Sequence, residues 1–216
     1  MKDDVLLFDL DGTLTDPKPG IVGCIRFALD QLAIACPGDI VLAGFIGPPL
    51  RETFASLMGT AEADPIEEAM ALYRLRFAET GLYQNQVYDG VRTMLERAAV
   101  SAAAMYVATS KPAIYADRIV KHFGLAGHFH KVYGPELDGR HDNKAELLAH
   151  LLAEERIAPD VAVMIGDRAA DVCAAKANGL KSVGVLWGYG SQTELVDAGA
   201  DILFHTPHDL ADHLSE

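Results

Sequence analysis

The stretch that decides the fold is Val5-Leu-Leu-Phe-Asp-Leu-Asp-Gly-Thr-Leu-Thr-Asp16. Its first four residues are apolar and lack the alternation of a half-exposed strand, which predicts a parallel strand buried on both faces. Asp9 and Asp11 follow directly, and Gly12 then permits a turn. Carboxylates at the carboxyl end of a parallel strand lie where open α/β sheets bind their ligands. Because two close carboxylates repel each other, we expect a hard cation or a shared proton between them.

Two other interpretations of this stretch are weaker. A plain polar turn needs neither the paired charges nor the whole Asp-Leu-Asp-Gly-Thr run. A calcium loop of the Asp-x-Asp type should follow a helix and carry a glutamate at its twelfth position, but that position, counted from Asp9, is Gly20. The remaining interpretation is a nucleophilic carboxylate beside an acid/base carboxylate and a magnesium ion.

Length and composition restrict the class of protein. The chain has 216 residues, enough for one domain with an insert or for two small domains. Its formal net charge is −13 without a long run of one sign, which disfavours a basic face for nucleic acid. Cys24, Cys36 and Cys173 show no metal-ligand spacing and predict a reduced, cytoplasmic protein. No secretory signal or membrane-length apolar run is expected.

The pattern of elements predicts two parts. Residues 17–82 carry only helical signals, including helices near 21–32 and 50–58 and a third that Asp64 would cap. Strand and helix signals alternate after Tyr88, and the strands expected there are residues 103–108, 130–134, 161–165, 182–186 and 202–204. We therefore predict an α/β fold with a doubly wound, mostly parallel, Rossmann-like sheet. Residues 1–16 and 83–216 would form this core, and residues 17–82 a small helical cap domain inserted after the first strand.

Candidate chemical groups follow the ends of several predicted strands. Thr109 and Ser110 follow the second strand, and Asp167 follows the fourth, with Asp171 four residues further on. Lys144 opens a helix between these strands. Because the carboxyl ends of parallel strands meet at one edge of a sheet, we expect these groups to form one site with the first two aspartates.

The residue types suit phosphoryl transfer. Asp9 and Asp167 can supply carboxylate oxygens to Mg²⁺. The hydroxyl of Thr109 or Ser110, the N–H groups of the turn at Gly12 and the Lys144 ammonium can hold a phosphoryl group. Lys111 also lies near the second strand end, but Lys144 is favoured as the charge partner because it opens a helix after a polar loop.

Four stretches in order resemble the motifs of the haloacid dehalogenase superfamily. They are Asp9-Leu-Asp-Gly-Thr13, the strand that ends at Thr109 and Ser110, Lys144, and Gly166-Asp167-Arg-Ala-Ala-Asp171. Phe45-Ile-Gly-Pro-Pro-Leu50, Thr109-Ser-Lys-Pro112 and Met164-Ile-Gly-Asp-Arg168 are most similar to the branch that contains phosphoglycolate phosphatases and 5′-nucleotidases. Ser110 stands where many relatives have asparagine.

The resemblance implies a role for each motif residue. These roles are Asp9 as nucleophile and magnesium ligand, Asp11 as general acid/base and backbone magnesium ligand, Thr109 as phosphate ligand, Lys144 as charge neutraliser, Asp167 as magnesium ligand and Asp171 as support of the metal site. Gly12 and Ser110 complete the expected phosphate-binding residues, and Arg51, after the Gly-Pro-Pro-Leu turn, is a candidate contact to the substrate.

These features predict a magnesium-dependent phosphatase that hydrolyses small phosphomonoesters through an aspartyl-phosphate on Asp9, with phosphoglycolate or a 5′-nucleotide as the expected substrate. A β-phosphoglucomutase-like phosphotransferase and a non-catalytic protein that binds a phosphorylated ligand remain as alternatives. The expected partner is a small phosphorylated metabolite, with neither a nucleic acid polymer nor a membrane involved. The protein would be a monomer or a homodimer.

Overall fold

A computed structural model describes residues 4–214 of the chain. The chain divides into two compact units, one made of Met1–Asp16 with Val87–Glu216 and the other of Pro17–Gln86. No helix within residues 4–214 combines the length and the apolar character that a membrane span requires.

The first unit contains a six-stranded sheet. Its strands are β1 (Val5–Phe8), β4 (Ala104–Ala108), β5 (Lys131–Tyr133), β6 (Ala162–Gly166), β7 (Lys181–Val185) and β8 (Ile202–Phe204), while β2 (Thr15–Asp16) and β3 (Gln86–Val87) are two-residue strands outside it. The order across the sheet is β5-β4-β1-β6-β7-β8, and every neighbouring pair is parallel. The predicted mostly parallel α/β fold is therefore confirmed.

The position of β1 follows from its composition. All four residues of β1 and all five of β6 are buried, so both central strands can be apolar on both faces. Phe8 pairs in register with Val107 of β4 and with Ile165 of β6. The three strands thus end at the same level, and the residues that follow them lie at one edge of the sheet.

The helices of this unit are α5 (Val91–Ser101), α6 (Ala113–His122), α7 (Lys144–Glu155), α8 (Ala169–Ala177), α9 (Gln192–Ala198) and α10 (Pro207–Leu214). Helices α9 and α10 were not predicted from the sequence. A local signal for α9 exists, because the Ser191 hydroxyl accepts a hydrogen bond from the backbone N–H of Glu194 as a helix cap. Helix α8 begins at Ala169, two residues before Asp171.

The second unit is helical, with α1 (Lys18–Gln31), α2 (Asp39–Ala43), α3 (Leu50–Met58), α4 (Ala63–Glu79) and a single 3₁₀ turn (Gly81–Tyr83). The expected cap of α4 at Asp64 is wrong: the helix begins at Ala63, and its N-cap residue, Glu62, makes no side-chain capping bond. The short helix α2 was not predicted. The backbone comes very close where α1 meets the turn after α4, since a β-carbon on Gly20 would lie 2.1 Å from the carbonyl oxygen of Gly81.

Candidate active site

The first part of the site is the turn that follows β1. The backbone N–H of Asp9 donates to the Ile165 carbonyl at 2.9 Å, so this residue still belongs to the edge of the sheet. The Leu10 carbonyl then accepts from the N–H groups of Leu14 and Thr15, at 2.9 and 3.0 Å, and closes a tight turn. The turn consequently holds the side chains of Asp9 and Asp11 at the strand end. Both residues are buried there, with exposed fractions of 6% and 8%.

Lys144 brings a positive charge to Asp9. The Asn143 side chain caps α7 by accepting from the N–H groups of residues 145 and 146, which fixes where Lys144 stands. The Lys144 Nζ atom lies 2.9 Å from Asp9 Oδ1 and forms a second ion pair with Asp171. Burial opposes the charge on this lysine, but the Asp171 and Asp9 carboxylates raise the pKa of Lys144 above its ordinary value.

A second lysine, Lys111, which the sequence favours less than Lys144 as the charge partner, pairs with Asp11. Lys111 is itself buried, and its Nζ atom lies 2.6 Å from Asp11 Oδ2. Burial raises the pKa of Asp11, and the charge of Lys111 opposes that increase. The backbone N–H of Lys111 donates to the Thr109 hydroxyl at 3.2 Å. The sequence did hold a signal for this contact, because Lys111 follows the strand that neighbours β1.

Asp167 and Asp171 complete an acidic cluster with Asp9. One carboxylate oxygen from each of the three lies within 4.8 Å of the other two. Burial, with the charges of Asp171 and Asp9, raises the pKa of Asp167 to about 8. Burial also raises the pKa of Asp171, to about 6, against the opposing charge of Lys144. Asp171 Oδ2 accepts from the Arg168 N–H at 3.0 Å, which orients its carboxyl group.

These residues fit a divalent cation. Four buried carboxyl groups, on Asp9, Asp11, Asp167 and Asp171, face two ammonium groups, on Lys111 and Lys144. When all four are ionised, two negative charges remain, which is the charge that one Mg²⁺ balances. Among residues 4–214, Asp11 Oδ1 is buried and has no hydrogen-bond partner, so the site has an unsatisfied acceptor that a further positive or polar group would satisfy. All the ligand atoms are oxygens, as Mg²⁺ prefers.

Gly12 is needed for space and for backbone conformation. Its N–H donates to the Thr15 carbonyl at 2.8 Å, and its expected part in phosphate binding stays a prediction. Its φ is +87°, and a β-carbon there would lie 2.2 Å from Asp167 Oδ2.

Replacing Gly12 by alanine is expected to lower turnover of a phosphomonoester by roughly 100-fold, because the new methyl group must displace Asp167. Gly179→Ala is the matched control, since Gly179 also has a positive φ (+74°) but its nearest neighbour, the Pro159 β-carbon, lies at 3.8 Å. Both variants should lose about 1–2 kcal/mol of unfolding free energy from backbone strain. Steady-state assays and urea unfolding measure the two effects. Equal activity in the two variants would contradict the steric role.

The other predicted residues divide into two groups. Thr109 is buried beside the lysine–aspartate pair, and Ser110, the next residue, is half-buried. Arg51 lies in the helical unit, where its guanidinium forms an ion pair with Glu67 of α4. Its contact with a substrate therefore stays a prediction.

Most of the chain matches one known protein family. Residues 6–185 match the family described as haloacid dehalogenase-like hydrolase. The chain belongs to this family. The resemblance inferred from the four motifs, and with it the expectation of a haloacid dehalogenase-type hydrolase, is confirmed.

Individual relatives of this haloacid dehalogenase-like hydrolase carry different names. A 5′-nucleotidase of Pseudomonas aeruginosa is 47% identical over 190 residues, which cover 88% of this chain and 86% of the nucleotidase. The tyrosine-protein kinase PtkA of Mycobacterium tuberculosis is 37% identical over 201 residues, which cover 93% of this chain and 68% of the kinase. The crystal structure of a predicted phosphatase from Clostridium acetobutylicum is similar with a TM-score of 0.92 and 34% identity, covering 99% of both chains.

Proposed function

We propose that this hydrolase is a magnesium-dependent phosphatase of small phosphomonoesters that works through an aspartyl-phosphate on Asp9. The observation that carries the proposal is the pairing of two buried aspartates with two different lysines. Lys144 lies 2.9 Å from Asp9, and Lys111 lies 2.6 Å from Asp11. A protein that only binds a phosphate needs cations, but it needs neither a nucleophile nor an acid beside it.

The two aspartates divide the chemistry between them. Asp9 attacks the phosphorus atom, and the bond between phosphorus and the ester oxygen breaks. Asp11 donates a proton to the leaving oxygen, a role that suits a carboxyl group whose pKa burial raises. In the second step Asp11 takes a proton from water, the water attacks the phosphorus of the aspartyl-phosphate, and phosphate leaves while Asp9 is restored.

The remaining residues hold charge and position. Lys144 keeps a positive charge beside Asp9 and can neutralise the oxygens of the transferred group. The Thr109 hydroxyl accepts one hydrogen bond from the backbone and can still donate its own hydrogen to a phosphate oxygen. Mg²⁺, held by Asp9, Asp167 and the backbone at Asp11 with Asp171 in support, would neutralise charge that develops on the phosphoryl oxygens.

The substrate class is the finer part of the proposal. The 47% identity with a 5′-nucleotidase favours a nucleoside 5′-monophosphate, and phosphoglycolate is the second candidate. We propose that the helical unit, Pro17–Gln86, acts as the cap that selects the substrate, with Arg51 as one candidate contact.

The test is phosphate release from a panel of esters, measured with magnesium and with EDTA. The panel contains p-nitrophenyl phosphate, phosphoglycolate, nucleoside 5′-monophosphates and sugar phosphates. We expect magnesium-dependent release, with the highest kcat/KM for a nucleoside monophosphate. Folded protein that releases phosphate from none of these esters would refute the phosphatase.

Two further assays, one for isomerisation of a sugar phosphate and one for phosphorylation of a protein, test other activities. Conversion of β-glucose 1-phosphate to the 6-phosphate without release of phosphate would indicate a mutase. Transfer of phosphate from a nucleoside triphosphate to protein tyrosine would match the name of the kinase relative. The mutase would replace water by a sugar hydroxyl as the acceptor of the phosphoryl group and leave the role of Asp9 intact.

The raised pKa of Asp167 predicts how stability and metal binding depend on pH. Because its pKa is about 8 in the folded chain against an ordinary value of 3.8, the folded state binds this proton more tightly than the unfolded state does. The contribution of Asp167 to the stability of the metal-free protein is therefore greatest below about pH 4 and is lost as the pH rises through about 8. Since Mg²⁺ requires the ionised carboxylate, it should raise the melting temperature more at high pH than at low pH.

Melting curves in EDTA and in magnesium, at about pH 6 and about pH 9, measure this dependence. Calorimetric titration with Mg²⁺ in two buffers of different ionisation enthalpy should also detect about one proton released per ion near pH 7. Asp167→Asn is the control, because it removes the titrating carboxyl group and should make both effects smaller. A magnesium shift of equal size at both pH values would contradict the prediction.

A further inference from the structure

The turn after β7, residues 187–190, has the sequence Trp-Gly-Tyr-Gly. It forms specific hydrogen bonds to the candidate active site in addition to apolar packing. The backbone N–H of Tyr189 donates to Asp167 Oδ2 at 2.7 Å. The second oxygen of that carboxyl group receives a longer hydrogen bond, 3.4 Å, from the Thr13 hydroxyl. Asp167 is fully buried and is a predicted metal ligand. The shorter of its two hydrogen bonds therefore comes from the backbone of the turn.

The two glycines let the turn approach this closely. A β-carbon on Gly188 would lie 2.4 Å from Asp167 Oδ2 and 2.3 Å from the Gly12 carbonyl oxygen. A β-carbon on Gly190 would lie 1.8 Å from the Asp167 carbonyl oxygen. Residues with side chains cannot occupy either position without moving the backbone away from Asp167. The turn therefore packs its main chain directly on this residue and on the turn after β1.

Both aromatic side chains attach the turn to the segment that follows Asp9. The Trp187 indole Nε1 donates to the Thr13 carbonyl at 2.9 Å. The Tyr189 hydroxyl donates to Asp16 Oδ1, and the side chains of Tyr189 and Tyr88 are hydrogen-bonded to each other. The segment that follows Asp9 thus fixes the position of the Tyr189 N–H, in addition to the residues next to Tyr189 in the chain.

We infer that Tyr189 is a positioning residue for the metal site: its backbone N–H orients the Asp167 carboxyl group, and its phenol, held by Asp16, keeps that N–H in place. The inference rests on the proposed magnesium-dependent function. Removing a group that orients a metal ligand in this way typically lowers the metal affinity by about 10- to 100-fold. The effect should appear in magnesium binding and leave the affinity for the ester unchanged.

Tyr189→Phe tests the inference, because it removes the hydroxyl and keeps the ring. We expect the dissociation constant for Mg²⁺, measured by calorimetric titration without substrate, to rise about tenfold. At saturating magnesium, KM for p-nitrophenyl phosphate should equal that of the unmodified chain, and kcat should recover to within about twofold, since the metal then orders Asp167 itself.

Tyr133→Phe is the matched control, because Tyr133 also donates its hydroxyl to a carboxylate, that of Glu155. It should lose similar stability but bind magnesium as the unmodified chain does. If Tyr189→Phe does not fold, Trp187→Phe, which removes the other attachment, replaces it with the same expected rise.

The outcomes separate the two claims. Unchanged magnesium affinity in the folded Tyr189→Phe or Trp187→Phe variant, beside an unmodified chain that binds Mg²⁺, would overturn the positioning role alone. An equal loss of affinity in Tyr133→Phe would also overturn it, because the effect would then be one of general stability. An unmodified chain that binds no Mg²⁺ would refute the metal-dependent function and this inference together.

Discussion

Asp9→Asn is expected to lower turnover of every phosphomonoester by at least about 10⁴-fold, which corresponds to about 5 kcal/mol of transition-state stabilisation. The amide cannot act as the nucleophile, although it fits the same space. Folding should survive, because the substitution removes one of several buried carboxylates that repel one another and leaves Lys144 its second partner, Asp171. The melting temperature in EDTA should therefore equal or exceed that of the unmodified chain.

Two measurements accompany the turnover assay. Beryllium fluoride, which mimics a phosphoryl group on a carboxylate, should raise the melting temperature of the unmodified chain in the presence of magnesium and not that of Asp9→Asn. Asp197→Asn, which changes an exposed aspartate on α9, is the control and should behave as the unmodified chain in both measurements. Turnover by Asp9→Asn within tenfold of the unmodified chain would remove Asp9 as the nucleophile.

Lys144→Met should have the largest effect on stability. Its ammonium group is buried between Asp9 and Asp171, so its removal leaves a carboxylate cluster without that cation. Breaking a buried ion pair from one side typically costs about 3–5 kcal/mol of unfolding free energy. Turnover should fall by at least about 100-fold even where the protein is folded, since the transferred phosphoryl group also loses a positive neighbour.

The pH dependence of this loss distinguishes electrostatics from packing. Without Lys144 the carboxylates can escape repulsion only by binding protons, so the loss in EDTA should be smaller at about pH 5 than at about pH 8. Urea unfolding at the two pH values measures it. Lys121→Met is the matched control, because it removes an exposed lysine from an i,i+4 pair with Asp117 and should cost only about 0.3–0.5 kcal/mol. A loss of equal size at both pH values would favour a packing role for Lys144.

Strands that are continuous runs of apolar residues were predicted correctly from the sequence, whereas the shortest helices were not. The buried strands β1 and β6 are continuous apolar runs that end in aspartate, and both were placed correctly to within one residue. The short helices α2, α9 and α10 were not predicted. Helices of five to eight residues contain about two turns or fewer, too few to show a helical repeat of apolar residues. The start of α4 was misplaced because Asp64-Pro65 resembles a capped helix start, yet the chain enters the helix at Ala63.

The part of the candidate site that lies at the carboxyl ends of the strands was predictable from the sequence. Side chains at the carboxyl ends of adjacent parallel strands meet, which brings Asp9, Thr109 and Asp167 together once the strands are assigned. The choice of lysine could not be made in this way. Both lysines proved to be buried in the site, one against each aspartate, because their long side chains reach back from different elements to different carboxyl groups.

By itself, the sequence determined the family, the order of the motifs and the residue types that phosphoryl transfer needs, since these depend on neighbours along the chain. Only the tertiary structure decided which groups face each other. Thr13 and Asp167 are 154 positions apart, and Trp187 and Thr13 are 174 apart. Such contacts depend on the strand order that places β1 beside β6 and β6 beside β7. Burial at that junction, and not the residue types alone, raises the pKa of Asp167, so its ionised form requires a positive charge nearby.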